Sequence, residues 1–163
     1  MKTHSYDVRV AWTGNTGAGT SGYADYRRDT VTTAGGKNLL GSSDPHFRGD
    51  PDRWNPEELL LASLSQCHLL WYLDLASRAG VVVTDYVDNP TATMVLNADG
   101  SGQFERVVLR PSVTIADPDD RARAERLHSR AHEMCFIARS VNFAVDCEPT
   151  VTVLTMVVRG DGA

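Results

Sequence analysis

Cysteines are few, aromatics are few, and charge of either sign is nowhere concentrated. Three cysteines in 163 residues are an odd number and too sparse for a disulfide framework, so a stapled secreted scaffold is not expected. Lysine and arginine total 16 against 21 acidic residues, for a formal net charge of −5 and a pI near 5.4. The arginines are scattered. Such a surface does not suit nucleic acid or an anionic membrane as a partner. The opening stretch MKTHSYDVRVAW carries no apolar signal region, so a cytoplasmic location is expected. No Gly-rich phosphate loop, internal repeat or low-complexity linker is present, which leaves a nucleotide-binding α/β reading without support. The one long apolar run, Leu59 to Ala76, is interrupted by Ser65, Gln66, His68 and Asp74. A bilayer span needs about 20 mostly apolar residues, so the run reads as the buried helix of a soluble protein.

What is present is ordinary for a folded chain: 42% hydrophobic and 23% charged residues, with a length that suits one domain over residues 1–163. YDVRVAW alternates Tyr6, Val8, Val10 and Trp12 with polar residues, the period of a half-buried strand, and YADYRRDTVTT predicts a returning strand. Gly35 to Trp54 is rich in Gly, Asp and Pro and predicts a long loop. Asn55 then offers an N-cap, Pro56 suits the first helical position, and Glu57 and Glu58 place negative charge against the helix dipole. Leu60, Leu61, Leu64, Trp71 and Leu75 recur at helical spacing, and Gly80 marks the stop. VVVTDYV and TATMVL predict strands, and FERVVLRPSVTIA places Val107, Leu109, Val113 and Ile115 on one face, with Pro111 at an edge or bulge. Asp117 and Pro118 open a second helix containing Leu127, Ala131 and Met134, which breaks near Cys135 before a short helical turn. TVTVLTMVV closes as a strand. The alternation of strands with two helices predicts an α+β domain.

Chemistry centres on NPEELLLASLSQCHLLWYLDLASRAG, where a greasy helix carries Cys67 followed by His68. Two readings are open: a small core filler, as most free cysteines are, or a thiol placed to react. The polar neighbours Gln66 and His68 and a second helix-end thiol, Cys135, raise the reactive reading, while the core filler remains the default for the residue alone. A metal site is the competing use. Adjacent helical residues point about 100° apart, so Cys67 and His68 do not both face one small ion. His132-x-x-Cys135 has a possible ligand spacing, but no CxxC pair accompanies it.

NPEELLLASLSQC, with a second thiol 68 positions on at Cys135, resembles the OsmC/Ohr family of thiol-dependent hydroperoxide reductases. The family motif has the form NPEELLxAxxxxC, and the resemblance runs over most of the chain. It implies an OsmC-like fold, with β-sheets about a long central Cys-bearing helix in an intertwined homodimer. It further implies an antioxidant enzyme of the oxidative stress response, a peroxidase reducing organic hydroperoxides without cofactor or metal. Cys67 would be the peroxidatic thiol and Cys135 the resolving thiol, recycled by an external dithiol of lipoyl type or another kind. Glu57 matches the glutamate that orients the activating arginine. HFRGDPDRW points to Arg48 for that arginine, with Arg53 second and Arg27 and Arg28 outside candidates. His68 and Phe136 depart from the usual residues after the two cysteines, and with Leu64 and Trp71 they are the expected substrate-pocket residues. Cys147 matches nothing in the pattern and reads as a packed thiol. Ten residues from Glu57 to Cys67 span about 15 Å of helix, which the resemblance to intertwined dimers resolves by composite sites between two chains. Competing functions are an OsmC-like small-ligand binder without turnover and a Cys/His metal-binding protein.

Overall fold

A computed structural model describes residues 2–154, and its contacts gather the chain into two compact units, Met1–Leu60 and Leu61–Ala163. The first unit holds an antiparallel meander of β1 (Arg9–Trp12), β2 (Thr30–Ala34) and β3 (Lys37–Gly41). Strand β1 is shorter than the alternation suggested, and its apolar residues are not half-buried: Val10 is 63% exposed and Trp12 44%. Only the TVTT end of the expected returning strand is β2. The expected long loop after it begins instead as strand β3. Ala34 pairs with Lys37, so Gly35 and Gly36 form a two-residue hairpin turn with φ of +53° and +78°. Positive φ at both central positions is the turn that matches strand twist, and glycine is the residue that adopts it without strain. A 3-10 turn, Pro45–Phe47, follows; Asp44 caps it by accepting from the His46 amide at 2.7 Å, and Arg48 ends it in the left-handed region with φ of +66°.

Helix α1 runs Pro56–Arg78. Its start is a reciprocal capping box. The Asn55 side-chain oxygen accepts from the Glu58 amide at 2.8 Å, and Glu58 Oε2 accepts from the Asn55 amide at 3.1 Å. Its end is a Schellman motif: the Val81 amide donates to the Ala76 carbonyl at 2.9 Å and the Gly80 amide to Ser77 at 3.2 Å, with Gly80 at φ +75°. Within one chain the helix is not covered on every side. Leu64, His68, Tyr72 and Ala76, four residues apart, form the buried stripe, while Leu70 is 65% exposed. Among the described residues α1 is the one helix that is long and apolar enough to cross a bilayer by length and composition alone, and its buried stripe includes a histidine.

The second unit contains two three-stranded sheets. One orders β4 (Val83–Asp88), β7 (Pro111–Ile115) and β9 (Thr150–Val153); the other orders β5 (Thr91–Leu96), β6 (Gly102–Leu109) and β8 (Ala144–Cys147). The pairs β6–β8 and β7–β9 are parallel and the others antiparallel. The run FERVVLRPSVTIA is therefore two strands, one in each sheet, divided at Arg110. Its apolar residues Val107, Leu109, Val113 and Ile115 are all at most 1% exposed. Pro111 lies neither at an edge nor at a bulge. It opens the central strand β7, the position where a missing amide is tolerated. Arg110 secures the crossover, its amide donating to Asp88 Oδ1 and its Nη1 to Thr91 Oγ1, both at 2.6 Å.

Helix α2 (Arg121–Met134) follows a 3-10 turn capped by Asp117, ends at Cys135, and gives way to a second 3-10 turn, Ala138–Ser140, as expected. Strand β8 was not anticipated. The last expected strand is β9 over Thr150–Val153, and the part of TVTVLTMVV from residue 155 lies outside the described residues. One core cluster joins Tyr72, Ala76 and Val81 to Val113, Ile115, Ala124, Ala131 and Val151. A second centres on Leu64, Val107 and Leu109. Because the buried Asn55 satisfies the otherwise orphaned Glu58 amide at the helix start, Asn55→Ala is expected to lower the unfolding free energy by about 1 kcal/mol, with Asn55→Asp retaining most of it. Urea titration of the three proteins checks this; equal midpoints would remove the cap from the fold's energetics.

Candidate functional site

Cys67 lies on α1, half-buried, and Cys135 is the C-cap of α2, 1% exposed. Both are free thiols, and the two side chains interact. Burial pushes the Cys135 thiol up to about 11; the Ala138 amide opposes that shift and the neighbouring Cys67 adds to it. The opposing amide donates to Cys135 Sγ at 3.4 Å. At neutral pH Cys135 is therefore protonated. Tertiary packing thus brings together the two cysteines that the sequence separates by 68 positions.

The expected pocket residues divide. Trp71, four residues after Cys67, meets Phe136 edge-on with ring centroids 5.4 Å apart. The two rings line a cavity of about 330 Å³ with Leu70, Asp74 and Arg78. Leu64 and His68 do not line it, because both are 0% exposed. Leu64 packs in the core with Val107 and Leu109, where a four-residue helical step from Leu64 and Tyr72 also buries His68.

His68 instead meets residues that the sequence reading passed over. Its Nε2 lies 3.1 Å from His128 Nδ1 and 3.7 Å from Cys147 Sγ. The two imidazoles are nearly coplanar, 6° apart, and His128 stacks on Tyr72 at 4.1 Å. Cys147 is packed against the Leu64, Val107 and Leu109 core, as expected, and also reaches His68. Burial lowers His68 to about 4, helped by His132 and opposed by Asp88. Burial and His68 lower His128 to about 3, and burial, then Asp88 and Glu148, push Cys147 up to about 12. His128 was legible as His128-Ser-Arg-Ala-His132, two histidines one helical turn apart on α2. Cys147 had no such signal, since its strand joins the sheet through β6, distant in sequence.

In the first unit the candidate arginines are sorted by their partners. Arg53 pairs with Asp50 at 3.3 Å and Asp29 at 3.9 Å. Arg28 donates to the Tyr26 and Tyr23 carbonyls at 2.6 and 2.7 Å and lies over both rings. Arg48 is exposed, has no carboxylate partner among the described residues, and sits 5.9 Å from the Tyr23 ring. Arg27, Arg28 and Arg48 line one cavity of about 670 Å³ with Thr16 and Asp25. Glu57 forms no ion pair with Arg48 or Arg53 in the single chain.

Fold and thiols together define a class, an α+β protein with two reduced cysteines brought side by side from separate helices. The OsmC-like protein model matches residues 49–150, and the chain belongs to that family. The chain is 25% identical over 152 residues to the uncharacterized protein YmaD of Bacillus subtilis, spanning 91% of this chain and 93% of that one. An OsmC-like protein of unknown function from Vibrio cholerae superposes with a TM-score of 0.79 at 30% identity, over 91% of this chain and all of its own. An organic hydroperoxide resistance protein from Legionella pneumophila superposes at 0.66 with 18% identity, over 94% of this chain and all of its own. That last likeness is one of fold.

Acid stability follows from the two lowered histidines. An unfolded imidazole takes up a proton near pH 6.5, whereas the folded His68 and His128 resist until about 4 and about 3. Unfolded chains bind the extra protons, so stability falls as pH drops below 6.5, by up to about 1.4 kcal/mol per pH unit for each ring. His132, Asp88, Cys147 and Tyr72 are the titratable groups facing them. Urea unfolding in chelator-containing buffer at pH 7 and pH 5 is expected to show this loss, with His128→Gln flattening it. An unchanged slope in the variant would remove His128 from the acid response.

Proposed function

We propose that this OsmC-like protein is a thiol-dependent peroxidase that reduces organic hydroperoxides. The observation that carries the reading is the interaction of half-buried Cys67 with buried, protonated Cys135. Cys67 as thiolate attacks the terminal peroxide oxygen; the O–O bond breaks, the alcohol leaves with a proton, and Cys67 becomes a sulfenic acid. The Cys135 thiol then attacks that sulfur, water leaves, and an intramolecular disulfide forms, which an external dithiol of lipoyl type reduces. The cavity between Trp71 and Phe136 suits the organic portion of the peroxide, since Trp71 is one helical turn from Cys67 and Phe136 adjoins Cys135. The working unit in this reading is a cytoplasmic homodimer, a setting in which three free thiols persist. The hydroperoxide-resistance name of the Legionella relative agrees with this reading. The same aromatic cavity favours a second reading, a small-ligand binder without turnover.

Peroxide consumption separates the two. Cys67→Ser is expected to abolish it, and Cys135→Ser to allow one turnover and then over-oxidation of Cys67. Mass spectrometry of the unaltered protein after one equivalent of an organic hydroperoxide is expected to show a loss of two hydrogens mapped to Cys67 and Cys135. Full multi-turnover activity in both variants would sink the thiol mechanism.

A thiolate at neutral pH also needs a nearby cation; in the composite-dimer reading the other protomer supplies it, and Arg48, matched by the loop pattern and without a carboxylate partner among the described residues, is assigned that role. Arg53 is already committed to Asp50 and Asp29. Arg48→Ala is expected to slow alkylation of Cys67 at pH 7 by about 10-fold or more, the effect of a one-unit rise in thiol pKa, and Arg53→Ala much less. Equal rates in both variants would transfer the role to Arg27 or Arg28.

A further inference from the structure

Three side chains from three separate elements converge in the second unit: His68 from α1, His128 from α2 and Cys147 from β8. The candidate ligand atoms, one from each, all lie within 4.8 Å of one another. His68 is 0% exposed and His128 3%. None of the three has a part in the proposed peroxide chemistry. Cys67, next to His68 on the helix, is turned about 100° around the axis toward Cys135.

The spacing has a definite chemical meaning. A tetrahedral zinc ion with bonds of about 2.0–2.1 Å to nitrogen and about 2.3 Å to sulfur holds two nitrogens about 3.3 Å apart and a nitrogen and a sulfur about 3.6 Å apart. The structure has 3.1 Å from His68 Nε2 to His128 Nδ1 and 3.7 Å from His68 Nε2 to Cys147 Sγ. The His128–Cys147 pair, within 4.8 Å, has to close by up to about 1.2 Å (4.8 − 3.6), and the parallel rings have to pivot, for the hydrogen-bonded pair to become two ligands. Two imidazoles and a thiol are the donor set that suits a borderline-soft first-row cation rather than calcium or magnesium.

A way in also exists. His128, His132 and Cys147 border a cavity of about 400 Å³ that Glu125, Glu133 and Asp146 also line. His132 stands one helical turn from His128, and its Nδ1 is buried without a hydrogen-bond partner. We propose that His68, His128 and Cys147 form a binding site for zinc(II) or a similar divalent transition metal, with the fourth position facing this cavity. Binding replaces the His68–His128 hydrogen bond with two metal–nitrogen bonds, and the proton of that bond moves to the same ring's other nitrogen, so that His68 Nδ1 and His128 Nε2 carry the ring protons and both imidazoles stay neutral. The Cys147 S–H bond is exchanged for a metal–sulfur bond, and its proton passes to solvent. No electrons are transferred. The site is distinct from the Cys67–Cys135 pair and does not depend on the peroxidase reading.

Cobalt(II) is the probe that tests it, because a bound thiolate gives a near-ultraviolet charge-transfer band and tetrahedral geometry gives strong visible absorption. Full-length protein, reduced and freed of metal with a chelator, is expected to take up one cobalt(II) per chain with both signatures, and zinc(II) to displace it. Cys147→Ser is expected to lose the charge-transfer band and weaken binding by more than about 100-fold, beyond the roughly 10- to 100-fold lost when a group that only orients a ligand is removed. Cys67→Ser and Cys135→Ser are expected to keep the band. His128→Gln, with its fold checked by circular dichroism, gives the same loss independently should Cys147→Ser not fold. Absence of stoichiometric uptake by the unaltered protein overturns the site. So does a band that survives Cys147→Ser or disappears in Cys67→Ser.

Discussion

The second unit depends on burying one side of α1. Leu64, His68, Tyr72 and Ala76 lie four residues apart and are all at most 2% exposed, so the helix has one rotational setting in which the whole stripe is covered. Tyr72 makes that setting specific: it stacks on His128, and its hydroxyl donates to the Ala124 carbonyl at 3.3 Å. A buried tyrosine needs a partner for its hydroxyl, and the partner it finds fixes α2 against α1. Once the stripe is placed, Cys67 and His68 face different sides of the same helix. One is presented to Cys135 and the other to His128 and Cys147.

Burial then divides the labour of the thiols. Cys135, almost fully enclosed, is held protonated, and such a thiol is a poor first nucleophile; under the proposed function it is the partner beside Cys67 that would resolve a sulfenic acid. Cys67 retains partial access to solvent, which the proposed role as the first thiol to react requires. The same low dielectric keeps His68 and His128 uncharged and so allows two imidazoles to sit in contact without repulsion. Asp88 lies at the edge of this region, accepting from the Ser65 hydroxyl and the Arg110 amide at 2.6 Å each. One carboxylate thereby ties α1 to the point where the chain leaves one sheet for the other.

Family membership and fold do not choose among the chemistries that the chain can perform. Relatives of similar architecture include proteins of unknown function and organic hydroperoxide resistance proteins, and function resides in the site rather than in the fold. His68 and Phe136 are the residues that follow the chain's two central thiols. Phe136 turns outward to Trp71, and His68 turns inward to a cluster of its own.

Local chemistry determined what the sequence could reveal. The Asn55–Glu58 cap, the Gly80 stop, the Asp117 cap and the burial of alternate residues at Val107 and Leu109 and at Val113 and Ile115 follow from backbone conformations and side-chain periods that neighbouring residues impose; that the two pairs share one face does not hold, since they lie in different sheets. The Gly35–Gly36 hairpin was equally local. The motif NPEELLLASLSQC and a second distant cysteine pointed to the thiol pair through resemblance. Tertiary structure alone decided the rest. The FERVVLRPSVTIA run splits between two sheets because the parallel pairings with β8 and β9 are contacts far apart in sequence, which no local pattern encodes. His68 reads as a pocket residue beside Cys67 but is buried against His128 and Cys147, 60 and 79 positions away. Its neighbours there were set by which side of α1 the core had to cover.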